Sequence, residues 1–189
     1  MNRKEHKRKV DGCILEIPLC SGYGYAYAKY IDGTKHQELG RLVALLKVFD
    51  YKSNKPLEDL TVLASKPYLH DNLLVAGLAP TITQGYWKVI GRFPIEEKDL
   101  VAPQYKKHYD FGNYWTVVID GEKEERRDLE EIMHLEPYSY FGSGTIEVRL
   151  SMEFMEKNGD NPEKLLDMKD ESIAYAYSTF KNNLAQQGS

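Results

Sequence analysis

Cysteine is scarce in this chain: Cys13 and Cys20 are the only two in 189 residues. They stand at the two ends of one short apolar segment. Seven extended residues span roughly 23 Å, too far for a disulfide. No CxxC spacing is present, so both read as buried thiols in a reducing compartment. Long apolar runs are missing as well, and none approaches the roughly 20 residues of a membrane-spanning helix. The N-terminal MNRKEHKRKV is basic, but strand-like sequence follows it without an apolar leader core. Together these absences read as a cytoplasmic protein. An excess of basic charge is also lacking. The net charge is −4, which excludes a chain that binds polyanions over its whole surface.

Familiar chemistry is equally thin. The five histidines, His6, His36, His70, His108 and His134, form no HExxH, HxH or i,i+4 pair, so no metal or cofactor is expected. There is no GxSxG, no Walker loop and no GxGxxG. Gly142-Ser143-Gly144 reads as a plain turn. A cysteine nucleophile paired with a distant histidine is disfavoured, because both thiols sit in an apolar strand where thiols are inert.

What remains is ordinary globular composition, 42% hydrophobic and 29% charged, in a length that suits one domain with a substantial core. Gly12 to Gly33 reads as two strands around a break at Cys20-Ser21-Gly22. In the second, Tyr23, Tyr25 and Tyr27 alternate with Gly24, Ala26 and Ala28, which predicts a tyrosine face and a small-residue face open to close backbone approach. Asp32-Gly33 has hairpin chemistry. Leu42–Phe49 fits a buried strand, with a short helix also possible, and Leu73–Leu78 is a further apolar run after the interrupting Pro67 and His70-Asp71-Asn72. Gly85–Gly91 predicts a strand with Trp87 and Val89 on one face. Tyr114–Ile119, Asp120-Gly121 and the polar 122–127 predict a hairpin with an exposed return strand.

Asp128 and Glu131 have capping-box spacing for a helix over Leu129–His134, which Pro137 would stop. Thr145–Lys157 fits both a strand alternation and a helical face, and the Asn158-Gly159 stop favours helix. Asn161-Pro162 opens a last helix or helix pair over 163–184. The expected fold is therefore α+β: a strongly bent antiparallel sheet or partial barrel, with helices mainly in the C-terminal third. The expected organisation is one domain, with a basic arm (1–10), a β-rich core (11–127) and a mostly helical remainder (128–189).

Two kinds of surface are candidates for recognition. One is acidic: Glu96, Glu97 and Asp99, and Glu122, Glu124 and Glu125, which would speed association with a basic partner. The plainer reading of the second trio is a solvated edge strand, since Arg126 and Arg127 lie beside it. The other surface is the tyrosine row Tyr23, Tyr25 and Tyr27. A half-buried sheet face is its plainest reading and a protein-binding face the next. Base stacking by these tyrosines, helped by the basic arm, is the alternative function, but only Lys29 is adjacent, so nucleic acid is disfavoured.

Two motifs carry a family resemblance. Asp11-Gly12-Cys13-Ile14-Leu15-Glu16-Ile17-Pro18-Leu19 with Gly22-Tyr23-Gly24-Tyr25-Ala26, and Trp87-Lys88-Val89-Ile90-Gly91-Arg92-Phe93-Pro94-Ile95, resemble two elements of the Immunity protein 26 family in the family's order. The resemblance implies a non-enzymatic antitoxin of a bacterial polymorphic toxin system. Such a protein is made in the cytoplasm and binds the C-terminal domain of a cognate toxin, without cofactor or membrane. It also implies structural roles for Gly12, Pro18, Gly22, Trp87, Ile90, Gly91 and Pro94, with Trp87 and Ile90 filling a core. On that basis Trp87→Ala should destabilise the fold by roughly 3–5 kcal/mol. Chemical denaturation measures this, and an unchanged midpoint would make Trp87 a surface anchor instead.

Overall fold

The computed structural model describes residues 11–185; the basic segment 1–10 lies outside the described residues. The first sheet is wholly antiparallel. Its strands β1 (Cys13–Pro18), β2 (Tyr25–Asp32), β3 (Ala44–Ser53), β4 (Tyr68–Leu74) and β5 (Lys88–Arg92) lie in the order β4-β3-β2-β1-β5. The second sheet contains β6 (Gln104–Tyr109), β7 (Tyr114–Ile119), β8 (Lys123–Arg127) and β9 (Glu136–Pro137) in the order β8-β7-β6-β9, with β9 parallel to β6. Short helices α1 (Thr61–Ala64), α2 (Leu78–Thr83) and α3 (Leu129–Ile132) sit in connections. The longer α4 (Ser143–Lys157) and α6 (Glu171–Ala185), with α5 (Pro162–Leu165) between them, gather at the C-terminal end. The class is the expected α+β, built as two open sheets and not a closed barrel.

β1 is buried on both faces, which is why it reads as a nearly continuous apolar run. Leu15 and Ile17 join Ala26, Ala28, Leu46 and Val48 on the face that carries Ile146, Leu150 and Phe154 of α4. The small residues Ala26 and Ala28 of β2 thus seat a helix. Ile14, Tyr27 and Phe49 point to the opposite face, where Leu57, Leu60 and Leu63 of the 54–67 loop cover them. Trp87, just before β5, is fully buried in the α4-facing core. Its Nε1 donates to Glu147 Oε1 at 2.6 Å.

The ambiguity of 145–157 has a structural cause. Ile146, Leu150 and Phe154 face the sheet, while Val148, Met152 and Met155 face Leu166, Ala176, Tyr177 and Phe180 around α5 and α6. A helix buried on opposite sides places apolar residues at both i+2 and i+4, and the first of these spacings imitates a strand.

Several sequence expectations are corrected. His70-Asp71-Asn72 do not interrupt a strand but lie within β4, an edge strand that tolerates polar residues. Asp32-Gly33 does not make a tight hairpin. β2 and β3 are joined by residues 33–43 through two 3-10 turns. Asp128 makes no side-chain cap to α3, which is a single turn. Pro137 stops no helix; it pairs with Lys106 in β9. The Asp120-Gly121 turn is as expected: both residues have positive φ, and Glu122 N–H donates to Ile119 C=O at 3.1 Å.

The two sheets and α4 meet at a buried ion cluster. Arg149 of α4 grips Glu136 of β9 with two bonds of 2.8 and 2.7 Å, and its Nε donates to Glu153 at 2.9 Å. His70 of β4 bonds Glu153 at 2.5 Å and stands 3.5 Å from Glu136. The Arg149 guanidinium also lies 5.2 Å from the Phe180 ring centre in α6. Burial alone would raise the Glu136 pKa, but hydrogen bonds from His70 and Arg149 hold it at about 2. Burial would lower His70, yet its bonds to Glu136 and Glu153 carry it above its ordinary value.

A raised histidine pKa contributes stability that is complete below its unfolded value of 6.5 and fades as pH rises through the folded one. A depressed glutamate pKa contributes above its unfolded value of 4.5 and fades as pH falls through about 2. The cluster should therefore stabilise most between these unfolded values. Urea unfolding of wild type and His70→Gln should differ most near about pH 5.5, with the gap narrowing as pH rises through the raised His70 value. A gap independent of pH would contradict a charged His70.

Candidate protein-binding surface

The pairing of β6, β7 and β8 sets Tyr105 opposite Val118, Lys107 opposite Thr116, Tyr109 opposite Tyr114, and Arg126 opposite Thr116. Alternation puts these residues, with Glu124, on one face. At one end Tyr105 and Val118 are buried against Ile31, Leu45 and Leu74 of the first sheet. The remainder of the face runs clear of the core.

This outer part is ordered by its own contacts. Glu124 accepts from Lys107 Nζ at 2.8 Å, Tyr109 OH at 2.6 Å and Thr116 Oγ1 at 3.3 Å. Tyr109 and Tyr114 stack with ring centres 5.0 Å apart, and the Arg126 guanidinium lies 5.0 Å from the Tyr114 ring centre. The bonds from Lys107 and Tyr109 draw the Glu124 carboxyl below its ordinary value. At the β6–β7 turn Phe111 is 96% exposed. Behind it His108 bonds both Asp110 and Asn113 at 3.0 Å, and its ring lies 4.7 Å from that of Trp115. An exposed phenylalanine on a turn braced this way loses little further freedom on meeting a partner.

The residues expected at a binding surface fall in different places. Glu122 pairs with Arg41 at 2.8 Å, Glu124 with Lys107, and Glu125 with Arg127 at 2.6 Å. The β8 surface is therefore mixed in charge, not acidic. Glu96 and Glu97 are exposed, Glu96 bridging to Lys98 at 2.6 Å.

Asp99 is buried, which corrects its placement on a binding surface. It accepts from Lys29 Nζ at 2.5 Å and Glu96 N–H at 3.0 Å, because the ammonium of Lys29 is itself inside and needs a countercharge.

The tyrosine row is broken: its three side chains do not share one face. Tyr27 is fully buried, its hydroxyl 2.6 Å from Ser53 Oγ. Tyr25 packs on the same side under the 54–67 loop. Gly24, at φ +114°, approaches Ser53 so closely that a Cβ would stand 2.2 Å from its carbonyl oxygen. That turn sends Tyr23 to the helical side, where it donates to Asp160.

Among the motif residues, Pro18 ends β1, Gly22 lies in the following turn, and Ile90 joins the cluster of Ile14 and Tyr27. Gly12 and Gly91 have Phe93 O and a Leu60 methyl where a Cβ would be, and Pro94 O accepts from Lys29. Tyr109, Phe111 and Tyr114 were not singled out as a surface by the sequence. Their signal was the alternation of Tyr105, Lys107 and Tyr109 before Gly112-Asn113.

Among the described residues no group of His, Cys, Asp and Glu is placed to hold a metal ion, and no helix is long and apolar enough to cross a membrane. The class so defined is an α+β protein of two stapled sheets with a preorganised aromatic strand face. The chain belongs to the Immunity protein 26 family, whose family model matches residues 10–115, more than half of it. The match spans the first sheet and β6 and runs into β7. No curated protein and no solved structure matches the chain.

The burial of Asp99 generates a direct test. Asp99→Ala leaves Lys29 charged and without its carboxylate, and should cost about 3–5 kcal/mol. Glu97→Lys two residues away should stay within about 0.5 kcal/mol. Equal small effects in denaturation would mean that Asp99 faces solvent.

Proposed function

We propose that this protein is a non-enzymatic immunity protein: it binds the C-terminal domain of a cognate polymorphic toxin in the cytoplasm and blocks it. Membership of the Immunity protein 26 family is the observation that carries this reading. The outer face of β6–β8 and its Phe111 tip are the proposed contact. Tyrosine, phenylalanine and arginine concentrate binding energy at interface centres, and here Tyr109, Tyr114, Phe111 and Arg126 lie together on rigid elements.

Three strands of this length cover roughly 20 Å by 10 Å, a quarter or so of the about 800 Å² that a stable interface takes from each partner. The face therefore serves as the centre of a contact whose rim includes neighbours such as the Arg41–Glu122 pair. Because the β8 acids already have cationic partners, electrostatic steering by them is a minor part of the mechanism, and aromatic burial is the major part.

A purified toxin domain tests this by calorimetry and by inhibition of its activity. Tyr109→Ala combined with Phe111→Ala should weaken binding by about a hundredfold, since each anchor contributes on the order of 1–2 kcal/mol. The melting temperature should hardly move. Unchanged affinity in that double variant would move the contact elsewhere, and a toxin neither bound nor inhibited by the wild type would overturn the function.

A further inference from the structure

On the face of the first sheet that α4 does not cover lies a pocket of about 320 Å³. It is lined by Lys29, Phe49, Tyr68, Phe93 and Pro94, with Lys66 and the Glu96–Lys98 pair also reaching it. The aromatic rings are packed against one another, Phe49 and Tyr68 with centres 5.1 Å apart and Phe49 edge-on to Phe93 at 6.2 Å. The volume is at the lower end of the roughly 300–1,000 Å³ usual for small-molecule sites.

The charges around it do not cancel. Lys29 is matched by Asp99, and Lys98 by Glu96. Lys29 gives two donors to Asp99 and Pro94 O, and an ammonium has a third. Lys66, on the rim, stacks 5.3 Å from the Tyr51 ring centre and has no carboxylate partner among the described residues. Lys47, behind the pocket and not in its lining, is paired in register with Lys29 in the next strand and is 4% exposed. Its Nζ lies 5.6 Å from the Tyr68 ring centre and has no hydrogen-bond acceptor among the described residues; Asp71 and Asp99 act on it only through space. Burial pulls its pKa down, the cost of an ammonium left without a direct anion.

We propose that this pocket binds a planar aromatic ring carrying a phosphate monoester, of which a nucleoside monophosphate is the simplest example. The ring lies against Phe49, Tyr68 and Phe93, and the phosphate lies towards Lys66 and Lys29. Lys66, without a direct countercharge, and the third donor of Lys29 match a monoester of about −1.5 to −2 at neutral pH better than a single carboxylate. Stacking on aromatic side chains accepts any base, and lysines act as point charges without the planar fork of arginine. The site should therefore discriminate ring plus phosphate from either alone, and discriminate little among bases. This site lies apart from the β6–β8 face and stands or falls independently of the toxin reading.

The test is calorimetric or NMR titration of the full chain with adenosine 5′-monophosphate, adenosine and inorganic phosphate. The monophosphate should bind saturably at one site, with adenosine and phosphate each weaker by about tenfold or more. Lys66→Ala, an exposed change, should weaken monophosphate binding by about fivefold with an unchanged melting temperature. Lys47→Met should weaken it less, because Lys47 lies outside the lining and acts on the site only through space, while leaving the fold at least as stable. No saturation by about 5 mM monophosphate, equal affinity for phosphate alone, or indifference to both lysine variants would each overturn the proposal.

Discussion

The grip of Arg149 on Glu136 is the contact on which the arrangement of parts depends. Arg149 comes from α4, Glu136 from the two-residue β9, His70 from the edge of the first sheet and Glu153 from α4 again. Taking these charges out of water is expensive, and the cluster is stable because each carboxylate meets more than one donor. Hydrocarbon could fill the same volume, but a bidentate fork against a carboxylate accepts one geometry only. Its structural consequence is orientation: it sets β9 beside β6 and so holds the second sheet at the flank of the first.

The apolar layers work around that constraint. α4 is buried on two sides, one against Ala26 and Ala28 of β2 and one against α5 and α6. On the far face of the first sheet the 54–67 loop covers one half and the second sheet the other. Between those halves stand Lys29 and Lys47 of β2 and β3, with Asp99 over Lys29, a polar belt in the buried part of the sheet. The belt is only partly matched in charge, and the pocket opens beside it.

The surface with the strongest chemistry for recognition lies where the second sheet projects past the core. Tyr109, Tyr114, Lys107 and Glu124 hold one another in place there, so little order has to be created on binding. In the proposed toxin-binding reading, this is the link from fold to function. The staple and core hold the second sheet, and the second sheet displays a rigid aromatic face.

Much of this was legible in the chain. The strand pair around Cys20-Ser21-Gly22, the Trp87 element, the Asp120-Gly121 hairpin and the Asn158-Gly159 stop all depend on turn chemistry and local alternation, which neighbouring residues encode. The two motifs that mark the family are of this kind too. Partnership across the fold was not encoded locally. His70 looked like a strand breaker until Glu153, far along the chain, stood beside it. Asp99 looked like an exposed acid until Lys29 proved to be buried beneath it. The tyrosine row looked continuous until the close approach of Gly24 to Ser53 turned Tyr23 away. Short-range φ/ψ preference and hydrophobic period were enough to place most of the first-sheet strands, the Asp120-Gly121 hairpin and the helical C-terminal third, but not β6, β9 or the polar edge strand β4. Only the tertiary structure decided which charges are buried, which aromatics are exposed and which faces meet, because desolvation and ion pairing depend on residues that the chain keeps far apart.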